Sequence, residues 1–181
     1  MTGVQTCALP ISLVVYCHGY GSSSNTDKVQ RLRDFGFEVH AWDIDIDPSV
    51  SIPFLENKID DLLVDNIHRD VGLVFIGTSL GCWYATKLAD AYGAKAILIN
   101  PSYTPAKSLL RYGVSNEIAD KYDTTVFDGN DIVIVAKDDE VIDHSDRDFS
   151  NTKAVIYSET GGHRFNGSEF DLVKDLVKDL V

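Results

Sequence analysis

The chain has 181 residues and a formal net charge of −12 at pH 7, from 16 basic and 28 acidic side chains. Hydrophobic residues make up 44% and charged residues 24%, the balance of an ordinary globular protein with enough sequence to bury a core. The acidic balance argues against binding nucleic acid or anionic membranes, because both need basic patches. No apolar run has the ~20 residues of a membrane-spanning helix.

Residues 1–11 (MTGVQTCALPI) are set apart from the rest of the chain. They translate a common short-read sequencing adapter with GTG taken as the start codon, so we interpret them as read-through in a metagenomic assembly. We expect a single domain over residues 12–181, and deletion of residues 1–10 should leave folding and activity unchanged. Cys17 and Cys82 then remain, without disulfide or metal spacing, which favours reduced thiols in a cytoplasm.

Strands and helices are predicted to alternate along the chain. Apolar, β-branched runs predict strands at 12–17, 37–46, 73–76, 95–100, 131–136 and 153–157. Amphipathic spacing predicts helices at 27–35, from 49 or 51 to 67, at 80–91 and from 168 onwards. This order predicts an α/β fold whose mostly parallel sheet of about six strands carries helices on both faces.

Two polar segments interrupt this pattern. Residues 101–130 contain weak helical segments at about 105–112 and 115–122 together with three tyrosines, so they form either a small lid over a site or surface filler. Asp43, Asp45 and Asp47 alternate as in a calcium loop, but Pro48 and Phe54 stand where that loop needs glycine and glutamate. A solvated loop is therefore favoured over a metal site.

The segment Gly77-Thr78-Ser79-Leu80-Gly81 joins a predicted buried strand to a predicted helix. This G-x-S-x-G pattern in a strand–turn–helix context is typical of a nucleophile elbow, in which small glycines allow a strained turn that exposes the serine hydroxyl. The alternative is that Ser79 only caps the helix. An aspartate near position 139 and His163 follow later strands, which gives the order Ser…Asp…His of α/β-hydrolases.

The chain resembles the α/β-hydrolase superfamily, and within it the small bacterial YqiA-type esterases, which have a small or absent lid. The resemblance rests on five motifs: His18-Gly19-Tyr20, Gly77-Thr78-Ser79-Leu80-Gly81-Cys82, Ile99-Asn100-Pro101, Asp138-Asp139-Glu140-Val141-Ile142-Asp143 and Gly161-Gly162-His163-Arg164-Phe165. They extend over nearly all of the authentic sequence. Two departures are Cys82 in place of the last elbow glycine and the loss of one residue before His163.

The resemblance implies a role for each matching residue. Ser79 is expected to be the nucleophile, His163 the general base and then acid, and Asp139 the triad acid, with Asp138 as its close competitor. The backbone N–H groups of Tyr20 and Leu80 are expected to form the oxyanion hole. No cofactor and no metal are expected. His18 is interpreted as a structural hydrogen-bonding residue, and the other histidines as surface or strand residues: His40, His68 and His144.

These features predict a serine carboxylesterase or thioesterase that cleaves short, small-molecule acyl esters through an acyl-enzyme. A peptidase or an acyltransferase would use the same residues, and a non-catalytic binding module on the same fold is the alternative from another class. The sequence does not predict an oligomeric state.

Overall fold

The computed structural model describes residues 11–180, so most of the leading segment, residues 1–10, lies outside the described residues. Ile11, which the sequence analysis assigned to that segment, is the first residue of the first strand, and its N–H donates to the carbonyl of Asp70 at 3.0 Å. The hydrogen bonding of this strand thus begins one residue before the predicted start at residue 12, because backbone pairing does not depend on the identity of the side chain.

Strands and helices alternate over most of the described chain. In order they are β1 (Ile11–Cys17), α1 (Asp27–Asp34), β2 (Glu38–Ala41), α2 (Pro48–Asp65), β3 (Val71–Thr78), α3 (Gly81–Tyr92), β4 (Lys95–Ile99), α4 (Pro105–Arg111), α5 (Asn116–Ala119), β5 (Ile132–Ala136), β6 (Ala154–Ser158) and α6 (Leu172–Leu180). A short 3-10 helix, Ser168–Asp171, leads into α6.

The strands form one parallel sheet in the order β2-β1-β3-β4-β5-β6. Helices α2 and α3 pack on one face, where Leu13, Phe75 and Leu98 are fully buried. Helices α1 and α6 pack on the other face, against Val14 and Ile97. This confirms the predicted parallel sheet of about six strands with helices on both faces, and it brings the loops after β1, β3, β5 and β6 to one edge.

Strand β2 is shorter than predicted. The expected strand at 37–46 is limited to Glu38–Ala41, because β2 is an edge strand that pairs only with β1. The three aspartates that follow lie in a loop, where Asp43 accepts the N–H of Ser24 at 2.7 Å and Asp47 caps α2. Asp45 accepts the N–H of Asp47 at 2.8 Å, so all three carboxylates accept backbone N–H groups.

The segment at 101–130 folds into α4, α5 and their connections. Tyr103 and Tyr122 are buried, and the Tyr122 hydroxyl donates to the carbonyl of Ile46 at 2.7 Å. Tyr112 is exposed and stacks on Tyr20, with ring centroids 5.3 Å apart. Two of the three tyrosines thus belong to the core, and one reaches the loop after β1. No helix within residues 11–180 combines the length and apolar character that a membrane crossing needs.

Candidate active site

The turn between β3 and α3 holds Ser79 in a left-handed conformation, with φ at +53°. A side chain at Gly77 would put Cβ 2.5 Å from the Cα of Cys82, and one at Gly81 would put it 2.0 Å from the carbonyl oxygen of Cys17. Only glycine fits either position. The turn thereby keeps a conformation that non-glycine residues rarely adopt, as is common at functional sites.

His163 contacts both of its predicted partners. Its Nε2 lies 3.0 Å from the Oγ of Ser79, and its Nδ1 lies 2.9 Å and 3.1 Å from the two carboxylate oxygens of Asp139. An ionised carboxylate only accepts hydrogen bonds, so Nδ1 carries the proton and Nε2 is left with a lone pair for the serine hydroxyl. The three side chains form one continuous hydrogen-bonded path.

The carboxylate of Asp139 is almost fully buried, with 1% of its side chain exposed. Burial alone would raise its pKa, but hydrogen bonds from His144 and His163 and from the amides of Ile142 and Val141 hold the pKa well below its usual range. Asp139 is therefore ionised at neutral pH and can stabilise a positively charged imidazole beside it.

Asn100 connects the loop that carries His163 to the sheet. Its side-chain amide donates to the carbonyls of Gly162 at 2.9 Å and of His163 at 3.1 Å, and its Oδ1 accepts the N–H of Ala136 at 2.8 Å. Asn100 is fully buried and has a φ of +46°. The end of β4 thus sets the position of the histidine loop relative to the end of β5.

Two acidic residues beside Asp139 hold the same loop from the other side. Asp138 accepts the N–H of Gly162 at 2.8 Å, and Glu140 accepts the N–H of His163 at 2.9 Å. Asp138 thus bonds to the backbone of the histidine loop, whereas Asp139 bonds to the imidazole. Gly161 and Gly162 both have positive φ, so this shorter form of the loop still brings His163 to Ser79.

The two predicted oxyanion-hole amides lie on neighbouring loops. Within residues 11–180, neither the N–H of Tyr20 nor that of Leu80 donates to a protein acceptor. His18 anchors the first loop, since its Nε2 accepts the N–H of Ile44 at 3.0 Å and its Nδ1 donates to the carbonyl of Gly19 at 2.9 Å. Both amides are consequently available to an incoming oxygen.

A cavity of about 190 Å³ adjoins these amides. Tyr20 and Leu80 line it together with Ile44, Ile46 and Tyr84. A larger cavity, of about 530 Å³, borders Asp139 and His144 but neither Ser79 nor His163. Ser79 lines neither cavity, but the smaller one is bordered by Leu80, the residue that follows it in the turn.

His144 is the residue that sequence reasoning missed. Its interpretation as a surface or strand histidine is wrong, because only 7% of its side chain is exposed and its Nε2 lies 2.9 Å from Oδ2 of Asp139. The contact arises from the turn after β5, and no spacing rule predicts it. The one available signal was a histidine five residues after the expected acid.

The two imidazoles and the carboxylate do not form a metal site. Each imidazole directs an N–H at Asp139, and the remaining nitrogens face Ser79 and Tyr103. The lone pair of each imidazole therefore already faces a hydroxyl group. In the part of the chain that the structure describes, no other group of three or more His, Cys, Asp or Glu residues is placed to hold one.

The parallel sheet, the strained serine turn and the histidine loop define an α/β-hydrolase fold. An esterase of Pyrococcus furiosus has this fold, with a TM-score of 0.68, 15% identity, and coverage of 94% of this chain and 81% of the esterase. A soluble variant of monoglyceride lipase from Saccharomyces cerevisiae, in complex with a substrate analogue, also has it, with a TM-score of 0.68, 12% identity, and coverage of 98% and 90%.

The profile of an uncharacterised protein family, UPF0227, matches residues 13–129, and the chain belongs to this family. A UPF0227 protein of Shewanella woodyi is 24% identical over 165 residues, which cover 84% of this chain and 91% of the relative. These matches confirm the resemblance to the α/β-hydrolase superfamily and its YqiA-type members. The profile match ends before Asp139 and His163, so of these three residues it includes Ser79 alone.

Proposed function

We propose that the protein is a serine hydrolase, a carboxylesterase or thioesterase that cleaves short acyl esters through an acyl-enzyme. The observation that carries the proposal is the continuous hydrogen-bonded path from Ser79 Oγ through His163 to Asp139. A serine hydroxyl becomes a strong nucleophile only when a base takes its proton, and the base needs a carboxylate that holds the correct tautomer. In this proposal Ser79 is the nucleophile, His163 is the base and Asp139 is the carboxylate.

The proposed reaction has two halves. Ser79 Oγ attacks the acyl carbon while its proton passes to Nε2 of His163, and the resulting oxyanion accepts hydrogen bonds from the amides of Tyr20 and Leu80. His163 then gives the proton to the leaving alkoxide or thiolate, which departs and leaves the acyl group on Ser79. Water repeats the sequence and releases the acid. Each oxyanion donor typically contributes about 3 kcal/mol to transition-state stabilisation.

The preference for short acyl groups is supported by the size of the cavity next to the oxyanion amides. Its volume of about 190 Å³ is below the ~300 Å³ at which ligand pockets usually begin. Ile44 and Ile46 supply an apolar wall suited to an alkyl chain, and both are partly buried. The site therefore favours acetyl to butyryl groups over long chains.

We further propose that the protein works in a cytoplasm on a small molecule and without a cofactor. Cys17 and Cys82 are free and fully buried, and burial raises the pKa of the Cys17 thiol to about 12. Reduced thiols of this kind are typical of a reducing compartment. The proposed chemistry uses only the triad and two amides, so it needs no added group.

Intact mass after incubation with a fluorophosphonate tests the nucleophile. We expect one adduct on the wild type, none on Ser79→Ala or His163→Ala, and an unchanged adduct on the control Ser23→Ala, which alters an exposed serine of the loop after β1. No adduct on a well-folded wild type would contradict the proposal and leave the non-catalytic binding module as the better account.

Hydrolysis of p-nitrophenyl acetate, butyrate and palmitate tests the acyl length. We expect kcat/KM to be highest for acetate or butyrate and to fall steeply for palmitate, because the small cavity cannot hold a long chain. A preference for palmitate would rule out the short-chain assignment while leaving the nucleophile unaffected.

A further inference from the structure

Asp139 binds two imidazoles. Its Oδ2 lies 2.9 Å from Nδ1 of His163 and 2.9 Å from Nε2 of His144. The hydroxyl of Tyr103 lies 2.5 Å from Nδ1 of His144. The hydrogen-bonded path from Ser79 thus continues beyond the expected acid, through His144 to Tyr103.

The partners of His144 determine where its proton lies. Nε2 faces an ionised carboxylate, so it carries the hydrogen and donates. Nδ1 faces the Tyr103 hydroxyl, whose pKa is raised by burial, so that group keeps its proton and donates to the free lone pair. The Arg147 guanidinium packs against the Tyr103 ring, 4.3 Å from its centre. With this arrangement of donors and acceptors, each nitrogen of His144 makes one hydrogen bond.

The two oxygens of Asp139 are held differently. Oδ1 accepts the amides of Val141 at 2.8 Å and Ile142 at 2.9 Å, both from the same turn. Oδ2 receives only the two imidazoles. In the proposed reaction His163 gains and loses a proton at Nε2, whereas His144 takes no part in that proton transfer and is a second donor to Oδ2.

We propose that His144 is a positioning residue, whose N–H fixes Oδ2 of Asp139 in the orientation that His163 requires. The inference rests on the proposed serine-hydrolase function. In this role His144 does not contact the substrate. It affects Ser79 only through Asp139 and His163. Tyr103 supports the same tautomer from the far side of the ring.

The alternative is that the His144 ring only fills space, since it packs edge-on against Tyr103 with ring centroids 5.5 Å apart. Two substitutions separate these roles. His144→Gln keeps an N–H donor near the position of Nε2 but loses the ring, whereas His144→Phe keeps the ring and loses both nitrogens. Positioning predicts that glutamine is the better replacement, and packing predicts that phenylalanine is.

The test measures the second-order rate constant for fluorophosphonate inactivation, which requires the activated serine but no knowledge of the substrate. We expect His144→Phe to lower it by about 10- to 100-fold, the usual effect of losing a hydrogen bond to a charged group. We expect His144→Gln to stay within about threefold of wild type. Thermal unfolding checks that each variant is folded, and His144→Leu replaces the phenylalanine variant if that one is not.

A phenylalanine or leucine variant that reacts as fast as wild type, or a glutamine variant no faster than phenylalanine, would overturn the role of His144. These outcomes leave a reactive Ser79 in the wild type and so leave the proposed function standing. A folded wild type that does not react at all overturns the proposed function and this inference with it.

Discussion

The side-chain amide of Asn100 donates a hydrogen bond to the carbonyl oxygen of His163, 3.1 Å away, across 63 positions of sequence. The same side chain binds Gly162 and Ala136, so one buried residue joins the ends of two strands to the histidine loop. We infer that the position of His163 at Ser79 depends on this residue, although within residues 11–180 no hydrogen bond joins the Asn100 side chain to the side chains of Ser79, His163 or Asp139.

Replacing Asn100 with aspartate is expected to destabilise the protein and slow fluorophosphonate labelling. The change keeps the acceptor for the Ala136 N–H but puts a carboxylate oxygen against two carbonyls. We expect a loss of about 2–4 kcal/mol in the free energy of unfolding, measured in urea, and at least a tenfold lower labelling rate. The same change at exposed Asn130 is the control, with an expected effect within about 0.5 kcal/mol. Equal effects at both positions would contradict the bridging role.

Asp139 and Asp138 are adjacent, and isosteric substitutions distinguish them. Asp139→Asn changes an acceptor of the imidazole N–H into an amide and disturbs the tautomer of His163, so we expect kcat/KM for p-nitrophenyl acetate to fall by about 10⁴-fold. Asp138→Asn keeps an oxygen for the N–H of Gly162, and we expect less than about a fivefold change. The reverse ranking would make Asp138 the acid.

Gly81→Ala is expected to disrupt the turn that holds Ser79. The added Cβ would lie 2.0 Å from the carbonyl oxygen of Cys17, so the strand or the helix must move. We expect a loss of about 3 kcal/mol or more of stability in thermal or urea unfolding. Gly129→Ala is the matched control, since a Cβ there meets nothing within 4 Å. If Gly81→Ala is as stable as wild type, the turn can accommodate a Cβ at position 81 and the prediction is wrong.

Asp131 lies at the start of β5 with 3% of its surface exposed, and burial raises its pKa to about 6. Its pKa in the unfolded chain is near 3.9, so the unfolded state ionises first and stability falls as the pH rises from about 4 to 6. We expect Asp131→Asn to be more stable than wild type by about 1–2 kcal/mol at pH 7.

Urea unfolding at several pH values checks this prediction. The difference between Asp131→Asn and wild type should be smallest below pH 4, where both side chains are neutral, and should grow until about pH 6. A stability difference that does not change with pH would mean that the pKa of Asp131 is the same in the folded and unfolded chains.

The alternation of strands and helices along the chain and most element boundaries follow local patterns, which is why the sequence predicted them well. The apolar run before Ser79 predicts a central strand, and β3 is that strand. The prediction failed at 37–46 because apolar alternation continues past Ala41, where pairing with β1 ends. The length of an edge strand depends on its neighbour, and a single sequence does not contain that information.

The residues of the candidate site were likewise predicted only in part. Ser79, Asp139 and His163 were predicted as a set from motifs and chain order, and the structure brings their side chains within hydrogen-bond distance. Their catalytic roles stay predictions. His144 and Asn100 were not assigned functional roles, because their contacts depend on the folding of turns and on long-range placement. Tertiary contacts of this kind produce no recognisable spacing pattern in the sequence.

The order of the elements along the chain also means that Ser79 is synthesised before Asp139 and His163. The part of the chain from β1 to β4 includes Ser79, Tyr20 and Leu80 in its loops, whereas Asp139 and His163 follow β5 and β6. During synthesis the first four strands leave the ribosome before the acid and the base exist, and N-terminal parts fold first. In the proposed mechanism, Ser79 of a nascent chain therefore has no base to take its proton until β5, β6 and the loops after them have folded. A chain that ends before β5 would lack both Asp139 and His163, so we expect its Ser79 not to react with a fluorophosphonate.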